Sequence, residues 1–440
     1  MAIPSSSLEL AFCWPQRTVR ALCNIVGKSS LHQSALCSAT SCSSFFSGIG
    51  SSDIAWKAIG AAVSACGLPF NLRTTFTCEK DEICQEALLA YSDGHLYEDL
   101  MDMMTSVSGL TEAASLEEKL RLVKRAAART TARCCRCQAR CDVRAADIDT
   151  SGSPCQDWSR AGLRRGAQGD RIHLLLLWMR WHRVMETPII IHENVKGFDV
   201  SLVQSALGDM YHISHVEVGP ESVGWPCCKR PRIYLALFHR RKIRLLCDPS
   251  WLFWQVTASL STQLRVRDFL IASQDEVRQE GSCRAAGRLS WAAAAQGQCH
   301  PVTHYEQCRL RYYCDLWRQS YGTDPSAEPD LIFNLGDNPD GGWVTWSAPG
   351  STGIHRMPTL RRKWTAQWLP SQSRWLTASE RLASMAFPAS PRLAMCYGLV
   401  GTFKLTWPQR HTLGNAMHLA NVGVWQACVA ASAILRGCSS

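Results

Sequence analysis

Apolar and polar positions fall into two kinds of block along this chain. Short apolar runs end at a glycine or an acid, and longer stretches repeat apolar residues every three or four positions. Ser44-Phe45-Phe46 runs into Ser47-Gly48-Ile49-Gly50, a strand end meeting a glycine turn. Asp53 to Ala65 continues as a helix with Ile54, Ala58, Ile59 and Ala62 on one face. Phe76 to Glu79 predicts a second strand ending in an acid, and Glu82 to Tyr91 its helix. Further on, Ile148 to Gly152 reads as a strand, His173 to Met185 as a helix and Pro188 to Val195 as a buried strand. Ser201 to Met210 then reads as a helix and Arg230 to Phe238 as a strand. Strands alternating with helices predict a parallel, doubly wound α/β sheet with helices on both faces.

The rhythm is interrupted twice. Leu116 to Thr131 is charged and helical, which predicts an exposed insertion within about 105–145 of a main domain spanning 43–240. From about Arg240 the alternation ends. Tryptophans scatter (Trp251, Trp254, Trp291, Trp317, Trp343, Trp346), and Asp324 to Gly342 is acidic and rich in turn residues. A smaller, irregular domain is expected over 241–356. Leu376 to Met385 and Ala420 to Leu435 look helical again, so 357–436 is expected to rejoin the main domain. Residues 1–42 are serine-rich and set Glu9 against Arg17, Arg20 and Lys28. They read as an N-terminal extension, either disordered or an organelle-targeting segment.

Composition narrows the class. A chain of 440 residues with 46% hydrophobic and 19% charged residues is globular, not disordered. The formal charge of +10 suits a polyanionic partner and equally a basic surface kept for solubility. With 22 cysteines and no secretory signal read, reduced thiols are expected. The apolar run Leu174 to Met179 is too short to span a bilayer and is flanked by Arg171 and Arg180.

Several residues carry candidate chemistry. Cys155 sits in Ser151-Gly152-Ser153-Pro154-Cys155-Gln156, followed by Arg160, Gly162, Arg164, Arg165, Gly166, Gly169 and Arg171. Such glycines give mobility, and the arginines offer phosphate contacts and a potential that would lower a thiol pKa. Glu193 ends an isoleucine run, where desolvation would raise a carboxyl pKa and let it donate a proton. Arg230 and Arg232, two residues apart, would share a face. Phe46 to Gly50 is a glycine loop at a strand's carboxyl end, and Glu79 stands at the next strand end. Together they suggest an adenosine-containing cofactor, although Asp53 occupies the place of a third glycine. Cys134, Cys135, Cys137 and Cys141 include one Cys-x2-Cys. A companion Cys-x2-Cys or histidine pair at zinc spacing is absent, so no metal site is assigned.

Taken in order, these segments resemble the cytosine-C5 DNA methyltransferase family. Phe46-Ser47-Gly48-Ile49-Gly50 resembles its first motif, Glu79-Lys80-Asp81 the second and Glu98-Asp99-Leu100 the third. Pro154-Cys155-Gln156 matches the nucleophile triplet, Asp170-Arg171 with Leu174 resembles the fifth motif, and Glu193-Asn194-Val195 matches the sixth. Lys229-Arg230-Pro231-Arg232-Ile233-Tyr234 resembles the eighth. Arg374-Trp375-Leu376-Thr377 through Glu380 to Phe387-Pro388 resembles the ninth, and Leu413-Gly414-Asn415-Ala416 matches the tenth. The resemblance covers 44–238 and 357–436, with a target-recognition domain expected between. Ser51 stands where a further glycine is usual and Cys228 where a glutamine is common. The stretch between Leu100 and Asp147 is longer than in minimal members.

The resemblance implies a Rossmann-like domain dependent on S-adenosylmethionine, together with a smaller, irregular target-recognition domain. It implies methyl transfer to C5 of a flipped-out cytosine in double-stranded DNA. Cys155 would attack C6, Glu193 would hold and protonate N3, and Arg232 with Arg230 would stabilise the base, while Gln156 and Asn194 support them. The cofactor would meet Phe46, Gly48, Ile49, Gly50, Glu79, Asp99, Pro154, Leu174 and Asn415. Arg160, Arg164 and Arg165 in the Cys155 loop are expected at the nucleic acid. So are Arg240 and Arg241, with Lys242 and Arg244, at the start of the recognition region. A monomer acting in a nucleus or nucleoid is expected, or in an organelle given the N-terminal composition, with no metal and no membrane. Three other readings remain: a tRNA methyltransferase of the same family, an inert DNA-binding homologue, and a cysteine hydrolase using His173, His182 or His192. The Cys-Phe-Thr element of the tRNA branch is not found here.

Overall fold

A computed structural model describes residues 4, 6–113, 115–159, 164–286, 302–337, 345–349, 353–361, 366–406 and 408–436. The main sheet contains nine strands: β1 (Ser41–Phe45), β2 (Arg73–Cys78), β3 (His95–Tyr97), β4 (Thr131–Cys134), β5 (Ala139–Asp142), β6 (Ile148–Ser151), β7 (Ile189–Val195), β8 (Tyr211–Val218) and β9 (Arg232–His239). Their order is β5-β4-β3-β2-β1-β6-β7-β9-β8. β1, β2, β3, β6 and β7 are parallel, whereas β9 runs antiparallel between β7 and β8. Strand order reverses between β1 and β6, which is where a doubly wound sheet opens a crevice.

Period-two alternation explains why both faces are covered. Ile189 and Ile191 enter one apolar core with Tyr234, Ala236 and Phe238, while Ile190, Ile233, Leu235 and Leu237 enter the other. Among the described residues, ten α-helices precede residue 258: α1 (Ser7–Phe12), α2 (Trp14–Ile25), α3 (Lys28–Gln33), α4 (Ala35–Ser38), α5 (Ser51–Ala65), α6 (Glu82–Tyr91), α7 (Leu116–Arg125), α8 (Ile172–Met185), α9 (Val200–Leu207) and α10 (Pro249–Thr257). The helix Leu419–Ala431 is wholly buried and mainly apolar, with Gln426 reaching Ser52 and Thr150. It packs against α2, α5 and α10, so the chain's end completes the first core.

Several expectations are corrected here. Residues 6–42, expected as a disordered or targeting extension, do not lie apart: α1 to α4 bury Phe12, Trp14, Val19 and Leu22 in the first core. The Trp14 indole donates to the Tyr397 hydroxyl at 2.8 Å, and its ring lies where any Cβ at Gly423 would fall. The scattered serines mask the apolar spacing of these helices. The insertion is not simply an exposed helix. α7 packs on α8, with Val123 and Ala126 in the second core, and β4–β5 extend the sheet. The smaller unit also differs in extent. Ile243, Leu252, Phe253 and Phe269 belong to the main core, whereas a separate cluster runs from Val302 to Trp375 around Tyr313, Trp317, Phe333 and Trp368. Trp291 and Trp343 lie outside the described residues. No helix among the described residues is long and apolar enough to cross a membrane.

Candidate active site

The carboxyl ends of β1, β2, β3, β6 and β7 open into one cleft of about 330 Å³. Its wall near β1 to β3 carries Phe46, Gly48, Glu79, Lys80, Asp99 and Leu100. Its wall near β6, β7 and β9 carries Pro154, Cys155, Gln156, Glu193, Arg230 and Arg232, and Arg171, Leu174 and Asn415 close the rim.

The glycine turn after β1 is shaped for this place. Phe46 and Gly48 take positive φ of 54°, and Gly50, at 86°, caps the start of α5. The Gly48 N–H donates to Glu79 Oε2 at 2.8 Å, and the Asp81 N–H donates to Glu79 Oε1 at 2.9 Å. Burial nevertheless dominates and pushes the Glu79 carboxyl up from its ordinary value. Ile49 is buried in the first core, and a Cβ on Gly50 would press on Leu88 at 3.2 Å. These two residues therefore position the turn without lining the cleft. Asp99 accepts from Lys80 Nζ at 2.7 Å.

The thiol side is built by a polar hub in which the expected support from Asn194 is joined by Ser153 and His192, which the sequence does not mark for this role. Asn194 Nδ2 donates to the carbonyl and the hydroxyl of Ser153, at 3.2 and 3.0 Å. His192 Nε2 stands 2.9 Å from the same hydroxyl and accepts from the Ser153 N–H at 3.4 Å. Burial pulls the His192 imidazole down to about 3, so it stays neutral. Ser153, His192 and Asn194 thus fix the turn that presents Pro154 and Cys155. The period-two spacing of His192 and Asn194 around Glu193 was the available signal. Gly152 lets Glu193 approach, since a Cβ there would stand 3.3 Å from Glu193 Oε2 and 2.8 Å from Met417 Cε. Asp157 folds the following loop back: its carboxylate covers Gly169 and accepts from the Arg171 N–H at 3.3 Å.

The charged partners divide the roles differently from the sequence reading. Arg232 Nε lies 3.0 Å from Glu193 Oε1, and both side chains are largely buried. Arg230 lines the same cleft, but its guanidinium donates to the carbonyls of Leu360, Gly414 and Ala416. Burial, reinforced by Arg232, brings it down to about 9. Arg230 thereby anchors the segment carrying Asn415 and is not free to meet a base. The expectation of a lowered thiol is also corrected. Burial, then the charge of Glu193, push the Cys155 thiol above its ordinary value, and Arg232 and Arg230 only partly oppose them.

The expected phosphate contacts fare unevenly. Arg164 is exposed on the Cys155 loop with φ of 53°, and Arg165 pairs with Asp170 at 3.1 Å. Arg160 lies outside the described residues. Arg240 and Arg241 follow the far end of β9, away from the cleft. Arg240 donates to the Gly208 carbonyl and Arg241 pairs with Glu186 at 2.7 Å. The run of basic residues misled, because sequence does not say at which end of the sheet a strand terminates. His173 and His182 are not in the cleft lining, and His182 sits buried 3.4 Å from Asp149.

The strand ends of this doubly wound α/β fold gather a thiol, a carboxylate–guanidinium pair and an acid-lined pocket. Residues 136–210 match the model of the family described as C-5 cytosine-specific DNA methylase, so the resemblance to that family is shown across the segment that holds Cys155 and Glu193. Members of that family are methyltransferases that use S-adenosylmethionine. No curated protein sequence matches. Among solved structures, the Dnmt2 methyltransferase of S. pombe is 11% identical with a TM-score of 0.44, covering 89% of this chain and 98% of its own. The methyltransferase EhMeth of Entamoeba histolytica is 12% identical with a TM-score of 0.46, covering 89% and 98%.

Proposed function

We propose that this protein methylates C5 of cytosine in double-stranded DNA, using S-adenosylmethionine. The observation that carries the reading is the Arg232–Glu193 pair at 3.0 Å in the cleft that Cys155 lines. The other wall suits the cofactor. Phe46, Leu100 and Leu174 give apolar surface for a purine, Glu79 and Asp99 accept from hydroxyls or an amine, and the open space over Gly48 lets a ligand approach the backbone. Acidic groups also favour a sulfonium cation. When bound, that group supplies an electrophilic methyl.

The chain's own residues act on the base. A cytosine inside a duplex hides its C6 face, so it must leave the stack to reach Cys155. The Cys155 thiol loses its proton to water in the cleft and Sγ bonds to C6, moving the C5–C6 electron pair toward C5. Glu193, entering the step protonated, hydrogen-bonds N3 and passes it that proton as the ring becomes electron-rich, and Arg232 orients the group and stabilises the carboxylate that remains. Once C5 carries the methyl group it loses its proton to water, N3 returns its proton to Glu193, the C5–C6 double bond re-forms and Sγ leaves C6 as the thiolate. Arg164 and Arg165 on the Cys155 loop would meet phosphates, with salt-sensitive affinity. On this reading the protein works as a monomer wherever its DNA lies, in a nucleus, nucleoid or organelle.

Transfer of labelled methyl from S-adenosylmethionine to duplex DNA and to tRNA tests the assignment. Incorporation into duplex cytosine supports it. Label in tRNA alone would overturn the DNA substrate and leave the chemistry standing, and label in neither would favour the inert homologue.

A further inference from the structure

The outer edge of the sheet brings together four side chains that the methyl-transfer reading does not use. His95 begins β3, Cys134 ends β4, Cys137 lies in the turn after it and Cys141 lies in β5. Their ligand atoms all fall within 4.8 Å of one another. His95 Nδ1 stands 3.6 Å from Cys134 Sγ and 3.6 Å from Cys137 Sγ. A tetrahedral zinc with Zn–S of about 2.3 Å and Zn–N of about 2.1 Å would set S···N at about 3.6 Å. We propose that His95, Cys134, Cys137 and Cys141 hold a structural zinc ion that pins the β4–β5 hairpin to β3.

Several features converge on this. The Cys137 N–H points at Cys134 Sγ at 3.5 Å, the turn bond that steadies a metal-bound thiolate. Gln138, with φ of 53°, closes the turn tightly enough for Cys141 to return in β5. Arg136 fastens the turn from outside, donating to the carbonyls of Gly94 and Ser92 at 2.9 and 2.7 Å. The hairpin has need of a tie, because β4 meets β3 at one register pair, Tyr97 with Cys134, and β5 buries none of its residues. Three thiolates and an imidazole favour zinc over hard cations. Four protein donors close the coordination sphere, which is the structural and not the catalytic pattern. Binding releases the three thiol protons to solvent and leaves a site of net charge −1. The sequence reading assigned no metal because the histidine stands 39 residues before Cys134, outside any zinc spacing.

Elemental analysis of the full chain, purified without a metal-affinity tag from zinc-containing medium, tests the site. About one zinc per chain is expected, falling at least fivefold in Cys137→Ser/Cys141→Ser and unchanged in Cys308→Ser, an exposed cysteine elsewhere. Because the double variant could fail to fold, cobalt exchange into the wild type gives an independent readout: the sulfur-to-metal charge-transfer and intense visible bands of tetrahedral cobalt. Wild-type protein that carries no zinc and shows no such bands overturns the proposal. So does zinc that is lost equally in Cys308→Ser.

Discussion

Strand β9 has an arginine pair at each end, and the two pairs have different fates. Arg230 and Arg232 lead into it where β7 ends, so Arg232 lies beside Glu193 and Arg230 is sunk among backbone carbonyls. Arg240 and Arg241 follow it at the opposite end and are spent on the Gly208 carbonyl and the exposed side of Glu186. All four are arginines within twelve positions of one another. The difference is topological. In a doubly wound sheet, ligands gather at the carboxyl ends of the parallel strands, and an antiparallel strand contributes its beginning to that end. Charge alone therefore marks neither pair as functional.

That contrast can be broken experimentally. Arg230→Ala removes the donor to three carbonyls and should cost about 3 kcal/mol of stability, read by urea unfolding. A loss below about 1 kcal/mol would mean that the Asn415 segment is held by other contacts. Arg232→Ala should lower methyl transfer about a hundredfold. It should also move the pH profile of thiol attack. The Cys155 thiol is raised, so its thiolate fraction climbs about tenfold per pH unit below its pKa. Arg232 is among the groups that lower that pKa, so removing it shifts the profile further toward alkaline pH. An unshifted profile would separate Arg232 from the thiol. Asn194→Ala releases Ser153 from one of its two partners, and about a tenfold slower turnover is expected with cofactor affinity unchanged. The smallest effect belongs to the far pair: Arg240→Ala and Arg241→Ala should change duplex affinity less than about twofold, measured at fixed salt.

Legibility followed the same logic. β6, α8, β7 and β9 could be read because apolar periodicity and strand-end polar residues agree there, and those elements place Cys155, Glu193 and Arg232. The helix Leu419–Ala431 is legible from its mainly apolar run, but the helix expected to reach Leu435 stops at Ala431, and Ala433–Leu435 pairs instead as a strand with Ile243–Leu245. β3, only three residues long, carries too little pattern to be seen, although it delivers Asp99 to the cleft and His95 to the cysteines. α1 to α4 were missed because their buried face is interleaved with serine and cysteine. Asn194 is legible beside Glu193, but its partners Ser153 and His192 are not, because hydrogen bonds from β7 to the turn after β6 leave only the weak period-two signal of His192 and Asn194.

The central claim is that Cys155 bonds to C6 of a cytosine that Glu193 and Arg232 hold. Incubation with S-adenosylmethionine and a duplex containing 5-fluorocytosine, followed by denaturing electrophoresis and mass mapping, tests it most directly. Fluorine at C5 cannot leave as a proton, so a stable protein–DNA adduct at Cys155 is predicted, absent in Cys155→Ala. Folded protein that binds S-adenosylmethionine yet forms no adduct, or forms one at another residue, would contradict the account.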